Sequence, residues 1–366
     1  MGAHVSSNAA AVLVTYLFLI VGVHGEEPQV PALFIFGDSI TDNGNNNYIT
    51  TLAKANFFPY GIDFEEGRAT GRFCNGMTTV DVLAKLLGLP LIPPYAAAST
   101  KGVAVMNGVN YASGAAGILD ETGRNLLGRV TFNEQIANFG NTVNDITSHL
   151  GSAEEVAEYL SKSIFAITFG SNDYINNYLV PGFYSSSRTY TSEDYSDLLI
   201  SHFSQQLVKL YNLGARKFAV AAVGPLGCLP SQLPNNINGS STCVDRVNQE
   251  VSLFNSKLKH LLRIMEINLP GAHFVYGDAY SSVTDIINNP TSYGFIVTNQ
   301  GCCGIGRNNG QISCLPGVFP CPKRNQYVFW DSFHPTEAVN IIVATKAYNG
   351  SLYDASPINI KELAQL

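Results

Sequence analysis

The chain has 366 residues, 46% of them hydrophobic and only 13% charged, with 18 Tyr and 20 Phe. Its charge fraction is about half that of an ordinary soluble protein, and low charge with many aromatics excludes a disordered chain; no heptad or short-period repeat is present, which excludes coiled coils and solenoids. The formal net charge is −7 and the Lys and Arg residues are scattered, so no nucleic-acid footprint is expected.

Residues 9–23 form a nearly unbroken apolar run, followed by Val23-His24-Gly25-Glu26. Small residues stand before a cut after Gly25. The run is too short to span a bilayer and reads as a secretory signal peptide over residues 1–25, although no Lys or Arg precedes it. A buried N-terminal helix is the rival reading. No later stretch has the length of a membrane helix, so residues 26–366 are expected to be a secreted, extracellular chain of one domain. Seven cysteines remain: Cys74, Cys228, Cys243, Cys302, Cys303, Cys314 and Cys321. In an oxidising compartment they read as disulfides. Seven is odd, and Cys74, alone in the first half, is expected to be the free thiol. A zinc site at Cys302, Cys303, Cys314 and Cys321 lacks the C-x-x-C pairs of structural zinc modules. No metal and no cofactor is expected. Asn238-Gly239-Ser240 and Asn349-Gly350-Ser351 are glycosylation acceptors in a secreted chain.

Five short apolar runs end abruptly in Gly, Ser, Asp or Asn. Residues 32–36 stop at Gly37-Asp38-Ser39, residues 108–112 at Ser113-Gly114, and residues 163–169 at Gly170-Ser171-Asn172-Asp173. Residues 217–223 stop at Gly224-Pro225, and residues 273–276 at Gly277-Asp278. Short apolar runs without clean alternation read as strands buried on both faces, which belong to parallel sheets. Helical patterns lie between them at residues 78–87, 193–213, 243–267 and 336–348. Alternating strands and helices predict a three-layer α/β/α sandwich with a central, mostly parallel sheet and right-handed crossovers. Residues 181–192, 224–242 and 298–326 read as irregular, and long loops inside a compact domain are usually functional or stapled.

Open parallel sheets bind ligands beyond the carboxyl ends of their strands. The residues there are Ser39, Gly114, Asn172 and, near the C-terminus, Asp331-Ser332-Phe333-His334-Pro335. Acyl transfer needs a hydroxyl, a base to take its proton, a carboxylate to hold the base in one tautomer, and N–H groups aimed at the developing oxyanion. Ser39 sits in a Gly-Asp-Ser turn expected to open a helix, which would leave its N–H free. Asp331 and His334 are three apart, a spacing that brings a carboxylate to the far nitrogen of the ring. Gly114, or alternatively Gly117, offers a backbone N–H, and Asn172 a side-chain amide. Asp38, Asp42 and Asp173 read as capping or loop-organising residues. No Gly-x-Ser-x-Gly elbow, His-Glu-x-x-His, Walker loop or dinucleotide fingerprint is present.

Four blocks occur in order: residues 36–46 (Phe-Gly-Asp-Ser-Ile-Thr-Asp-Asn-Gly-Asn-Asn), residues 110–117 (Asn-Tyr-Ala-Ser-Gly-Ala-Ala-Gly), Gly170-Ser171-Asn172-Asp173, and Asp331-Ser332-Phe333-His334-Pro335-Thr336. Together they resemble the GDSL esterase/lipase family, the SGNH hydrolases, and within it the secreted plant branch. Gly71-Arg72-Phe73-Cys74-Asn75-Gly76 and Gly224-Pro225-Leu226-Gly227-Cys228 are also similar to that branch. The resemblance implies a flavodoxin-like layering and a catalytic set of Ser39, Asp331 and His334. It further implies an oxyanion hole from Ser39, Gly114 and Asn172, and a cell-wall or apoplast location. The family's Leu after the Ser is Ile40 here, an exchange of similar volume.

The implied reaction is hydrolysis of a small-molecule or lipid ester through an acyl-enzyme on Ser39. Transfer of the acyl group to an alcohol or polyester acceptor is the alternative within enzymes. A low-turnover secreted binding or defence protein on the same fold is the alternative outside them.

Overall fold

The computed structural model describes residues 27–236 and 243–366. The signal peptide expected over residues 1–25 and the acceptor Asn238 lie outside the described residues. In chain order the elements are β1 (Leu33–Gly37), α1 (Thr79–Leu86), α2 (Phe132–Leu150), α3 (Ala153–Lys162), β2 (Ile164–Thr168), the single turns α4 (Ser171–Asp173) and α5 (Ser186–Thr189), α6 (Ser192–Asn212), β3 (Lys217–Ala221), α7 (Asp245–Asn268), β4 (His273–Gly277) and α8 (Ala279–Asn288). Then come β5 (Val297–Gly301), β6 (Gly304–Ile305), β7 (Ile312–Ser313), β8 (Tyr327–Phe329), α9 (Glu337–Asn349), β9 (Ala355–Ser356) and α10 (Ile360–Gln365).

Strands β1 to β4 lie side by side in sequence order, all parallel, and β9 closes the edge antiparallel to β4. Successive side chains point to opposite faces of a strand, so each run feeds two layers. On one face Phe34, Phe165, Phe218 and Phe274 are register partners, with neighbouring rings 5.2, 6.0 and 4.5 Å apart. Helices α2, α3, α6 and α7 cover them. On the other face α1, α9 and α10 pack over Ile35, Ala166, Ala219 and Val275. This is the three-layer α/β/α sandwich that the alternation of strands and helices predicts.

Helices α2 and α3 carry start signals that hydrophobic periodicity alone passes over. Thr131 and Glu134 cap each other reciprocally at the start of α2, and Ser152 caps α3. The run at 108–112, expected as a strand, is none. It nevertheless runs parallel to β1 around a bridge between Ile35 and Asn110, with the Ile35 N–H on the Val109 carbonyl at 3.0 Å and the Tyr111 N–H on the Ile35 carbonyl at 2.8 Å. On its other edge the Asn110 side chain accepts from the Ala112 N–H at 2.9 Å and donates to the Thr41 carbonyl at 2.8 Å, where a further strand would have bonded. The stretch 298–326 is more ordered than expected: β5 pairs with β8, and β6 with β7. Disulfides Cys302–Cys321 and Cys303–Cys314 staple it, Cys228–Cys243 staples the stretch before α7, and Cys74 is free and buried, as expected.

Helix α1 is anchored by charge. Thr78 and Asp81 form a reciprocal cap, and the Arg72 guanidinium forks onto both Asp81 oxygens at 2.7 Å. Both side chains are buried. Burial pushes the Asp81 carboxyl up, but the Arg72 charge and its hydrogen bonds outweigh it and hold the group below the usual carboxylate range. Removing one partner of a buried pair leaves the other charge uncompensated. Arg72→Ala is therefore expected to lower the unfolding free energy by about 3–5 kcal/mol, read from chemical denaturation midpoints at constant slope.

Candidate active site

Strand β1 ends at Gly37, and the chain turns at once. The Asp38 carboxylate accepts the Ile40 N–H at 2.9 Å, and the Asp38 carbonyl accepts from Thr41 and Asp42. The helix expected after Ser39 does not form; a short 3₁₀ turn at Asn45–Tyr48 is all that follows. The reason is the run of Asn residues, whose side chains bond distant backbone instead of helping a helix. Asn43 donates to the Ile92 carbonyl, Asn45 to those of Asn110 and Ala112, and Asn46 to those of Ala53 and Gly114. The turn still presents Ser39 at the strand's carboxyl end, and no described residue accepts from its N–H.

His334 comes from the segment after β8, 295 residues away in sequence, and its Nε2 lies 2.7 Å from Ser39 Oγ. Its Nδ1 faces Asp331, with both carboxylate oxygens at 2.9 Å. Asp331 is fully buried and saturated. Its Oδ1 also accepts the N–H groups of Phe333 and His334, and its Oδ2 accepts the Tyr60 hydroxyl at 2.6 Å. Burial would raise this carboxyl, but the His334 charge and the hydrogen bonds dominate and lower it. An ionised Asp331 fixes the ring with its Nδ1 protonated and Nε2 free to accept. The Phe73 ring lies 5.1 Å from the imidazole and limits its rotation. Tyr60 escaped sequence reasoning because no local pattern ties it to a residue 271 positions later.

Asn172 sits in α4, directly after β2. Its Nδ2 donates to the Ala116 carbonyl at 2.9 Å, and its Oδ1 accepts from Asn176 Nδ2 at 2.7 Å. The second amide hydrogen has no acceptor among the described residues, and Asn172 lines the same cavity as Ser39. Asn176, one helical turn on, was also missed; its spacing of four from Asn172 was the available signal.

Gly114 is engaged elsewhere than expected. Its N–H donates to Asp42 Oδ2 at 3.0 Å, and an added Cβ would stand 2.7 Å from Asn46 Nδ2 and 2.8 Å from the Phe73 ring. Its neighbour Ala115 borders the cavity with Ser39 and Asn172, and adopts a left-handed φ of 72°. Such a conformation is uncommon for a residue with a Cβ and marks a constrained site. Gly117 packs against Thr122 and Asp173. Asp42 and Asp173 organise loops: Asp42 accepts from Gly44, Asn45 and Gly114, and Asp173 from Ile118, Leu119 and Thr122.

Burial lifts the Asp38 carboxyl to about 7, and those of Asp42 and Asp173 to about 6. Between about pH 4 and pH 7 the folded chain thus holds protons that the unfolded chain has released, so stability falls as pH rises through that window. Scanning calorimetry is expected to give a higher Tm at about pH 5 than at about pH 7.5, and Asp38→Asn is expected to shrink the difference.

The chain matches the family described as GDSL-like lipase/acylhydrolase over residues 33–347. GDSL esterase/lipase 7 of Arabidopsis thaliana is 53% identical over 93% of this chain and 93% of its own. Two further GDSL esterase/lipases of Arabidopsis thaliana are 51% identical over 95% of this chain and 96% of theirs, and 52% identical over 97% of each. Among solved structures, a gut microbial diltiazem-metabolizing enzyme aligns over 81% of this chain and 44% of its own at 12% identity, with a TM-score of 0.34.

Proposed function

Since the chain belongs to the GDSL-like lipase/acylhydrolase family and is a carboxylic ester hydrolase, we propose that it cleaves esters through an acyl-enzyme on Ser39. The observation that carries this is the unbroken line from Asp331 through His334 Nδ1 and Nε2 to Ser39 Oγ, at 2.9 and 2.7 Å. Ser39 Oγ attacks the ester carbonyl while His334 Nε2 takes its proton. Asp331 stabilises the imidazolium that results. The carbonyl oxygen becomes an oxyanion facing the Ser39 N–H and the free hydrogen on Asn172 Nδ2. The N–H of Ala115, rather than that of Gly114, supplies the third donor. The intermediate collapses, His334 protonates the leaving alkoxide, and the alcohol departs. Water then enters, gives its proton to His334 and attacks the acyl carbon, and the second collapse returns the acid and restores Ser39.

The same reading includes removal of residues 1–25 on export and glycans at Asn238 and Asn349. Supporting it are the three disulfides, the exposed position of Asn349 at the end of α9, and the fact that no described helix is long and apolar enough to cross a membrane.

A small fluorophosphonate tests the mechanism. One equivalent should attach per chain, and peptide mapping should find it on Ser39. A protein that hydrolyses esters yet carries the label elsewhere, or takes none, would sink the assignment.

A further inference from the structure

The two faces of the sheet are built differently. One carries the ladder of four Phe rings. The other carries Ile35, Ala166, Ala219 and Val275 in register, and two residues further along the strands come Gly37, Thr168, Ala221 and Gly277. The helices over this face present small groups as well: Ala279 on α8, and Val343 and Ala344 on α9. Small side chains on both sides leave space. Ala166 and Ala219 keep 5% and 7% exposure in the middle of the sheet, where Phe165 and Phe218, one residue before each, have none.

That space adjoins the catalytic cleft and shares wall residues with it. A cavity opens at Ser39, Asn172 and His334 and is also lined by Thr168, Ala221 and Val343. Those three residues also line an adjoining, narrower cavity that reaches Ala219, Val275, Ala344 and Ile360. Asp278 and Asp354 mark the far end. The result is an apolar groove between the sheet and helices α1, α8 and α9, with the nucleophile at its mouth. A further cavity opens from the same Ser39 toward the loops. Its walls are mixed: Phe57, Leu126 and Leu315 alternate with Lys54, Asn176 and Ser313. Ile175 and Phe333 border both cavities.

We propose that the groove beneath α9 holds the acyl chain of the ester, an unbranched aliphatic chain, and that the loop-walled cavity holds the alcohol portion. The proposal rests on Ser39 as nucleophile. An ester bound at Ser39 must send its two arms in different directions, and two cavities diverge there. Each methylene moved from water into an apolar channel is worth about fourfold in binding, so a groove of this kind favours longer chains. The loop cavity keeps hydrogen-bonding groups at its wall, which suits the more polar arm.

The test compares kcat/KM for p-nitrophenyl acetate and p-nitrophenyl dodecanoate, in the wild type and in two variants that fill the groove from opposite walls, Ala221→Leu on β3 and Val343→Phe on α9. A second series uses acetates of ethanol through dodecanol. In the wild type kcat/KM should rise with acyl length. In both variants the dodecanoate-to-acetate ratio should fall at least tenfold, while the alcohol series keeps its profile. Labelling of Ser39 by a small fluorophosphonate shows that a variant's site is intact. An unchanged ratio in a labelled variant, a fall confined to the alcohol series, or a wild type indifferent to acyl length overturns the groove assignment alone. Absence of Ser39 labelling in the wild type overturns the nucleophile and the groove with it.

Discussion

His334→Ala is expected to lower kcat on p-nitrophenyl acetate by about 10⁶-fold, and Ser39→Ala by about the same amount. In the mechanism proposed above the imidazole takes the proton of Ser39 in the first half-reaction and that of water in the second, so its loss stops both. With Nε2 at 2.7 Å from Oγ, the pair acts as one unit. The double variant should therefore be no slower than either single one. Calorimetry supplies the control, because a catalytic loss accompanied by an unchanged Tm cannot come from unfolding. Near-wild-type turnover in either single variant would remove the mechanism proposed above.

The second large effect is expected for Asp331→Asn, about 10⁴-fold in kcat. The substitution keeps shape and changes hydrogen bonding. Asp331 Oδ1 accepts two backbone N–H groups, so the Asn carbonyl oxygen is pinned on that side. The Asn amide nitrogen must then occupy the place of Oδ2, facing His334 Nδ1 and the Tyr60 hydroxyl. Both donors of that NH₂ point where a base is needed, and Nδ1 can only accept. The ring proton moves to Nε2, which then has no lone pair for Ser39. Tyr60→Phe separates positioning from charge. It removes one donor to Asp331 and leaves the tautomer alone, so its loss should be far smaller than that of Asp331→Asn. Equal losses in the two variants would mean that packing around Tyr60, not the tautomer, governs the rate.

Local pattern carried much of this reading. The strand ends at Gly37 and Gly170 and the Asp331–His334 spacing are short-range features, and they drew attention to Ser39, Asn172 and the C-terminal pair. The odd cysteine was legible for a similar reason: six cysteines lie from Cys228 onward and Cys74 stands apart. Other features had no local trace. Tyr60 reaches Asp331 across 271 residues, and the engagement of Gly114 by Asp42 spans 72. The run at 108–112 has the composition of a strand and bonds to β1, but its other edge is taken up by the Asn110 side chain and the Pro93 and Tyr95 backbone rather than by a further strand.

What the sequence determined by itself was therefore the set of chemical groups and the layers that carry them, since strand and helix periods and turn residues act over a few positions. Only the tertiary structure decided which groups meet. It set a buried tyrosine on the Asp331 carboxylate, turned Gly114 away from the cleft and Ala115 toward it, and left room beneath α9. Those outcomes depend on packing and on long-range hydrogen bonds. Their energies belong to pairs of distant residues, and no stretch of chain contains both members of such a pair.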